Sequence, residues 1–288
     1  MVFVGPSVEQ FRPIMERSIA YSRAMTGDAW AVGDAYEAYV GRWSRPVAAT
    51  FLRWLGVPRG RQWLDVGCGT GALTATVLSE GEPERVVGLD TSEGFLAAAR
   101  AYIDDARAVF CTADAQSLPL ATATFDAVVS ALALNFVPDP GRAVAELARV
   151  TRPDGVVAAY FWDYADGMAM IRRFWDAATT LDAAAEALDE GRRFPLCRPD
   201  PLRALWSGAG LERVAVRSIE TATVFADFDD YWRPFLGGQG PAPGYVMSLT
   251  GERRSALREL LRARLAAEPD GSIRLTARAW AVRGVVRR

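Results

Sequence analysis

Two side chains are missing from this sequence altogether. It contains no histidine, and all 33 of its basic residues are arginine, so lysine is absent too. Without histidine the chain lacks the usual general base and the commonest metal ligand. Without lysine it forms no Schiff base and has no phosphate-binding P-loop lysine. Cysteine is scarce: Cys68, Cys111 and Cys197 form no close pair, which argues against a disulfide framework and a Cys-x-x-Cys zinc site. No apolar run approaches the roughly 18 residues of a membrane helix. The first residues, Met1 to Pro6, lack the basic and long apolar stretches of a signal peptide. The expectation is a soluble cytoplasmic protein with no membrane partner. An excess of charge is missing as well. A net charge of -2 gives no electrostatic footprint for nucleic acid.

What remains is the composition of an ordinary globular chain: 288 residues, 50% hydrophobic and 24% charged. Residues 1–34 form a weakly patterned N-terminal extension in which Met25 is a candidate start. Helical spacing begins with Tyr36, Tyr39, Val40 and Trp43 and runs to Leu55, with Pro46 suited to the first turn of a second helix. The period then shortens. Gln62–Val66, Arg85–Leu89, Ala108–Cys111, Phe125–Ser130 and Val156–Phe161 read as buried strands. Helices fall between them at Ala72–Ser79, from Ser92 (a capping residue) to Ile103, and at Gly141–Val150, and Pro153-Asp154-Gly155 reads as a turn. Five alternations of this kind predict an α/β protein with a doubly wound parallel sheet. Leu211–Val224 and Ile273–Val286 supply two more strands, giving a seven-stranded sheet with its last strand antiparallel. Between them lie a helical stripe from Ile171 to Leu188, a short helix Pro201–Trp206, a Gly/Pro-rich loop Gly237–Gly244 and a helix from Glu252 to about Ala267. On that last helix Arg254, Arg258 and Arg262 predict a solvated basic row opposite a buried row of Leu257, Leu261 and Leu265.

The chemistry concentrates in Leu64-Asp65-Val66-Gly67-Cys68-Gly69-Thr70-Gly71, which follows a strand and opens a helix. Gly67 and Gly69 permit a tight turn and close approach of a ligand to the backbone. Asp65 ends the first strand, Asp90 the second, and Asp114 follows the third, so three acids line the carboxyl edge of the sheet, where doubly wound folds bind ligands. Gly67, Gly69 and Ala72 also satisfy a dinucleotide fingerprint, but Asp65 would repel a pyrophosphate held in the first turn. A nucleoside carrying an amino acid, with an ammonium group and no phosphate, suits these acids better than NAD.

Several segments resemble the class I S-adenosylmethionine-dependent methyltransferases, near the methyltransferase type 11 group. They are LDVGCGTG at 64–71, GLDTSEGFLAAAR at 88–100, ADAQSLPL at 113–120, FDAVVSALALNFVPDP at 125–140 and RVTRPDGVV at 149–157. YVGRWSR at 39–45 is similar to the helix that leads into this core in related bacterial methyltransferases. The resemblance implies a Rossmann-like fold with a helical substrate cap. It covers about residues 41–160, the cofactor-binding core; the expectation is a single methyltransferase domain at 35–288 with cap insertions at about 163–200 and 222–250. The resemblance also implies S-adenosyl-L-methionine as cofactor. Asp65, Gly67, Cys68, Gly69 and Gly71 would face its methionine part, Asp90 with Thr91 its ribose, and Asp114 with Ala115 its adenine edge. Ala131–Asn135 would lie near the sulfonium, and Tyr39 or Arg42 would close over the carboxylate end.

Methyl transfer from a sulfonium is an in-line displacement on an activated donor, so it needs no histidine, lysine or metal. The expectation is a metal-free enzyme acting on a small-molecule acceptor, with Asp163, just after the fifth strand, as the candidate base. Two rivals remain at this point. One is a non-catalytic S-adenosylmethionine-binding regulatory protein. The other is an NAD-dependent oxidoreductase, whose customary Tyr-Lys pair or histidine this chain cannot supply. Acceptor identity, the position methylated and oligomeric state are not encoded in any motif.

Overall fold

The computed structural model describes residues 37–238 and 240–287. Residues 1–34, with Met25, and Tyr36 lie outside the described residues. Seven strands form one sheet among the described residues: β1 Gln62–Val66, β2 Arg85–Asp90, β3 Ala108–Thr112, β4 Phe125–Ala131, β5 Thr151–Trp162, β6 Glu212–Phe225 and β7 Ile273–Val285. Their order is β3-β2-β1-β4-β5-β7-β6. β1 to β5 are mutually parallel, while β7 runs antiparallel to both β5 and β6. This is the expected doubly wound sheet with its last strand reversed. The chain crosses over beside β1, so the ends of β1 and β4 diverge at the switch point where such folds bind ligands.

Strand side chains alternate between two apolar layers, as period-2 geometry demands. Trp63, Val86, Ala127, Val129, Ala158, Tyr160, Ala277 and Ala279 face one layer. Leu64, Val87, Leu89, Val128, Val157, Ala159 and Val282 face the other. The first layer is covered by α1 (Arg42–Leu55), the start of α2 (Ala72–Thr76), α5 (Ala169–Leu181) and the last helices. The second is covered by α4 (Pro140–Val150), through Ala143, Val144 and Leu147, and by α7 (Pro199–Gly208), through Leu202 and Trp206. α3 (Glu93–Tyr102) starts where expected, because the Ser92 hydroxyl accepts the Phe95 N–H. α6 is the single turn Glu190–Arg193; α8 Phe228–Trp232, α9 Pro241–Ser248 and α10 Gly251–Arg264 complete the set.

Five local expectations change. Pro46 lies inside α1, beyond its first turn, and a π-helical turn Glu37–Gly41 leads into the helix. The helix after the glycine loop leaves α geometry at Thr76 and continues as a π-helical turn, Val77–Gly81. The turn at Pro153–Gly155 is a bulge within β5. Thr151 pairs with Phe125 and Val156 with Ala127, so the intervening residues loop out and bond instead to Val286. The stripe from Ile171 to Leu188 breaks at Asp182, whose carboxylate caps a separate 3-10 turn, Ala183–Leu188. The Gly/Pro-rich loop is partly helical, since Pro241 starts α9 at a position where proline costs no hydrogen bond.

The arginine row of α10 is likewise more than a solvated face. Arg254 donates to the carbonyls of Val246, Met247 and Leu249. Arg258 donates to Asp229 and, like Arg262, lies over the Phe228 ring. Leu257, Leu261 and Leu265 are buried as the periodicity required. No helix among the described residues is long and apolar enough to cross a membrane.

Candidate active site

The glycine loop is fastened to the end of β2 at two groups, Leu89 O and the Asp90 carboxylate. The N–H groups of Gly67 and Cys68 both donate to Leu89 O, at 2.7 and 2.9 Å, tying the loop to the end of β2. The Gly69 N–H donates to Asp90 Oδ2 at 3.0 Å, and the Ser92 N–H donates to Oδ1 at 2.8 Å. Gly67 and Gly69 have φ of +72° and +54°. A methyl group at Gly67 would stand 2.3 Å from Ala133 Cβ, whereas one at Gly69 would meet nothing within 4 Å. Gly67 therefore lets the segment after β4 close onto the loop. Gly69 faces open space at the carboxyl edge. Gly71, also left-handed, caps the start of α2.

Asp65 is fully buried at the end of β1. Its Oδ2 accepts the Thr74 hydroxyl at 2.7 Å, while Oδ1 has no hydrogen-bond partner among the described residues. Burial pushes its carboxyl up to about 7, against the Thr74 hydrogen bond. Burial also raises Asp90, against the backbone N–H groups that bind it. Ser130 Oγ and Asn135 Oδ1, at the end of β4 and just beyond, are likewise buried without partners among the described residues. Between them Leu132 holds a φ of +61°, a left-handed geometry that costs a leucine roughly 1–3 kcal/mol and gathers at ligand sites.

The other expected residues divide. Cys68 is buried, its sulfur beside Gly88 on the sheet, and burial raises its thiol well above the usual range. Thr91 is exposed beside Asp90. Asp114 accepts the Gln116 N–H at 2.8 Å, so it also builds the turn after β3, with Ala115 at the bend. Arg42 Nη1 donates to Asp230 Oδ1 at 3.1 Å, and its guanidinium lies over Trp43 and Phe225. Its Nε and Nη2 have no partner among the described residues.

Asp163 is 2% exposed and engaged through both oxygens. Oδ2 accepts Arg278 Nε at 2.7 Å and Trp280 Nε1 at 3.1 Å, and Oδ1 accepts the Asp166 N–H at 3.0 Å. These bonds tie the end of β5 to β7 and account for the carboxylate without an acceptor molecule. The candidate base of the sequence reading thus has its geometry explained by structure. The residue that sequence reasoning passed over is Glu190. It is 2% exposed, Trp175 Nε1 donates to its Oε2, and burial pushes its carboxyl up to about 7. No motif marked it, because a Glu followed by Gly and two Arg reads as a solvated loop.

These features fit S-adenosylmethionine. A buried carboxylate oxygen without a donor suits an ammonium group, a second acid at the next strand end suits a ribose, and an open glycine cradle admits the ligand. The seven-stranded α/β sheet with this loop at its switch point has the class I methyltransferase fold.

The comparisons with known proteins agree. The family model for the methyltransferase domain matches residues 64–159, from the end of β1 to β5. A malonyl-[acyl-carrier protein] O-methyltransferase of Hahella chejuensis is 34% identical over 133 residues, 42% of this chain and 48% of that protein. The chain thus spans about half the length of that relative. The YcgJ protein of Bacillus subtilis superposes with a TM-score of 0.53 at 17% identity, covering 84% of this chain and 99% of that one. The phosphoethanolamine N-methyltransferase 2 of Haemonchus contortus, solved with S-adenosyl-L-methionine, superposes with a TM-score of 0.55 at 17% identity, covering 88% of this chain and 56% of that one. Residues 64–159 thus match a methyltransferase domain, carried on a sheet whose fold these solved structures share.

Proposed function

We propose that the whole chain, with residues 35–288 acting as one domain, is an S-adenosylmethionine-dependent methyltransferase for a small-molecule acceptor. The observation that carries this reading is the buried, unpartnered Asp65 Oδ1 beside a glycine cradle that opens at Gly69. S-adenosylmethionine, when bound, supplies an electrophilic methyl group on a sulfonium. Asp65 holds the ammonium. Arg42, expected at the carboxylate end, is instead paired with Asp230 and packed on Phe225 at the end of β6, the sheet edge remote from β1, so it takes no part in this reading. Asp90 retains acceptor capacity for the ribose after binding Gly69 and Ser92, so ligand and loop share one carboxylate. Asp114 and the backbone at Ala115 meet the adenine edge. The run Ala131–Asn135, held against the loop by Ala133, excludes water and aligns the acceptor for in-line displacement. Two relatives act, by name, on a malonyl-acyl carrier and on phosphoethanolamine. The acceptor is therefore a matter for the cap, not for the shared core.

Calorimetric titration tests the reading directly. S-adenosylmethionine and S-adenosylhomocysteine are expected to bind and NAD is not. Binding of NAD with no response to either sulfur nucleoside would reverse the assignment. An acceptor screen read by S-adenosylhomocysteine release then establishes turnover.

A further inference from the structure

Glu190 is a buried carboxylate that the cofactor half does not use. Its neighbour Asp189 is committed: Arg172 Nη1 and Nη2 donate to it at 2.9 and 2.6 Å, and the Gly191 N–H at 2.8 Å. No arginine stands within ion-pair distance of Glu190 among the described residues. The turn that carries it is pressed onto the carboxyl edge of the sheet. A methyl group at Gly191 would stand 2.6 Å from Tyr164 O and 2.8 Å from Ala165 Cα, just past the end of β5. At the other end of the same turn, Phe194 meets Phe136 edge-on at 5.2 Å and Tyr164 at 6.0 Å. Phe136 belongs to the 3-10 turn Leu134–Phe136, which also holds Asn135 and follows directly on Ala133. One short run, 133–136, therefore touches the glycine loop at one end and the Glu190 turn at the other.

Tyr39 completes the cluster from the N-terminal side. Its hydroxyl is buried with no hydrogen-bond partner among the described residues. Burial raises it, and the Glu190 carboxylate and the Tyr164 and Tyr231 hydroxyls lie close enough to raise it further.

We propose that Glu190 is the acid–base group of the acceptor site, with the Tyr39 hydroxyl beside it, and that the acceptor is a hydroxyl carried on a planar ring. This rests on the methyltransferase reading above. Phe136, Tyr164 and Phe194 supply apolar faces and edges for a ring. An unpartnered O–H donor suits an oxygen on which negative charge develops. A carboxylate acceptor would meet Glu190 as a like charge, and an amine would leave the Tyr39 donor without an acceptor. In the transfer, the acceptor O–H proton passes to Glu190. The acceptor oxygen bonds to the methyl carbon as the carbon–sulfur bond breaks, its electron pair remaining on sulfur. The products are a methyl ether, a neutral thioether and protonated Glu190, which returns its proton to solvent. A group that titrates near neutrality is suited to this exchange.

The test uses the full chain with 2-naphthol and catechol as probes, and benzylamine and benzoate as controls. S-adenosylmethionine affinity is measured first for wild type and Glu190→Gln, and is expected to be the same in both. Wild type is then expected to release S-adenosylhomocysteine with the phenols only, with an acid limb near pH 7 in kcat. Glu190→Gln is expected to lower kcat by about 100-fold and to abolish that limb, since general acid–base catalysis contributes roughly that much. Tyr39→Phe is expected to lower kcat less and keep the limb. Retention of wild-type kcat by Glu190→Gln overturns the proposal. So does turnover of benzylamine or benzoate, or the absence of turnover with either phenol in a protein that binds S-adenosylmethionine. Failure of the wild type to bind S-adenosylmethionine would instead sink the methyltransferase reading itself.

Discussion

Asp65 and Glu190 are two buried carboxylates in two different regions, and burial lifts both to about 7. Asp65 belongs to the parallel half of the sheet. Its surroundings come from a few consecutive residues: its own strand, the glycine loop and Thr74 at the start of α2. Glu190 belongs to the cap. Its surroundings come from Trp175 and Arg172 on α5 and Tyr39 before α1. The same desolvation acts on both, but only one environment is local in sequence. A motif therefore announces a site when the chain builds it from a single strand-turn-helix, and is silent when distant helices build it.

The largest expected effect lies in the local region. Gly67→Ala combines a 2.3 Å contact with Ala133 and a left-handed φ, a cost of about 2–5 kcal/mol if overpacking and chirality add. S-adenosylmethionine binding should be lost and the melting temperature lowered. Gly69→Ala meets open space and carries only the backbone term of about 1–2 kcal/mol. Equal losses in the two variants, by calorimetry and thermal melting, would mean that the approach of Ala133 is unimportant.

Stability against pH compares the two carboxylates directly. In the unfolded chain they lose their protons near 3.8 and 4.5, in the folded chain near 7. The folded state binds the proton more tightly, so stability from these groups is fully present below about pH 4. It falls as pH rises to about 7 and is flat above, by on the order of 3 kcal/mol for each group. Asp90, also raised by burial, acts in the same direction. Urea denaturation at pH 5.5 and pH 8 checks this. Asp65→Asn and Glu190→Gln should each remove part of the difference, and an undiminished difference in either variant would deny that residue its buried, protonated state.

Asp90→Ala probes the cofactor half alone. A charge-assisted hydrogen bond contributes roughly 1.5–3 kcal/mol, so S-adenosylmethionine affinity should fall at least about tenfold while the protein stays folded. An unchanged dissociation constant would remove Asp90 from the ribose site. The smallest expected effect is none at all. Turnover should survive exhaustive chelation, because the sulfonium donor needs no Lewis acid. Loss of activity with EDTA and its recovery with magnesium would replace the alignment mechanism with a metal-assisted one.

Much was legible along the chain. The alternation of apolar runs with capped helices specified the parallel strands and both helical layers, because period-2 and period-3.6 patterns are written into consecutive residues. The acids at the ends of β1, β2 and β3 followed from the same register. The bulge in β5 was not legible. Pro153-Asp154-Gly155 has the chemistry of a turn, and only pairing with β4 and β7 keeps the chain in the sheet there. The arginine row of α10 was read as solvated because helical spacing says nothing of what packs across from it. Asp163 was read as a candidate base from its place after β5, yet Arg278 and Trp280, over 100 residues away, occupy its carboxylate.

The sequence by itself determined the sheet, the glycine loop and the chemistry that absent histidine and lysine forbid. Each depends on residue type and near-neighbour spacing, which backbone sterics and hydrogen bonding convert directly into local form. Tertiary structure alone decided which carboxylate is tied up in an ion pair and which is buried without one. Asp163 and Glu190 are both acids in the second half of the chain, and nothing in their flanking residues tells them apart. Arg278 pairs with one, while Trp175 reaches the other and the nearby Arg172 is paired with Asp189 instead. Burial and charge pairing are properties of whichever side chains the fold brings within a few ångströms, so they are fixed only when distant segments meet.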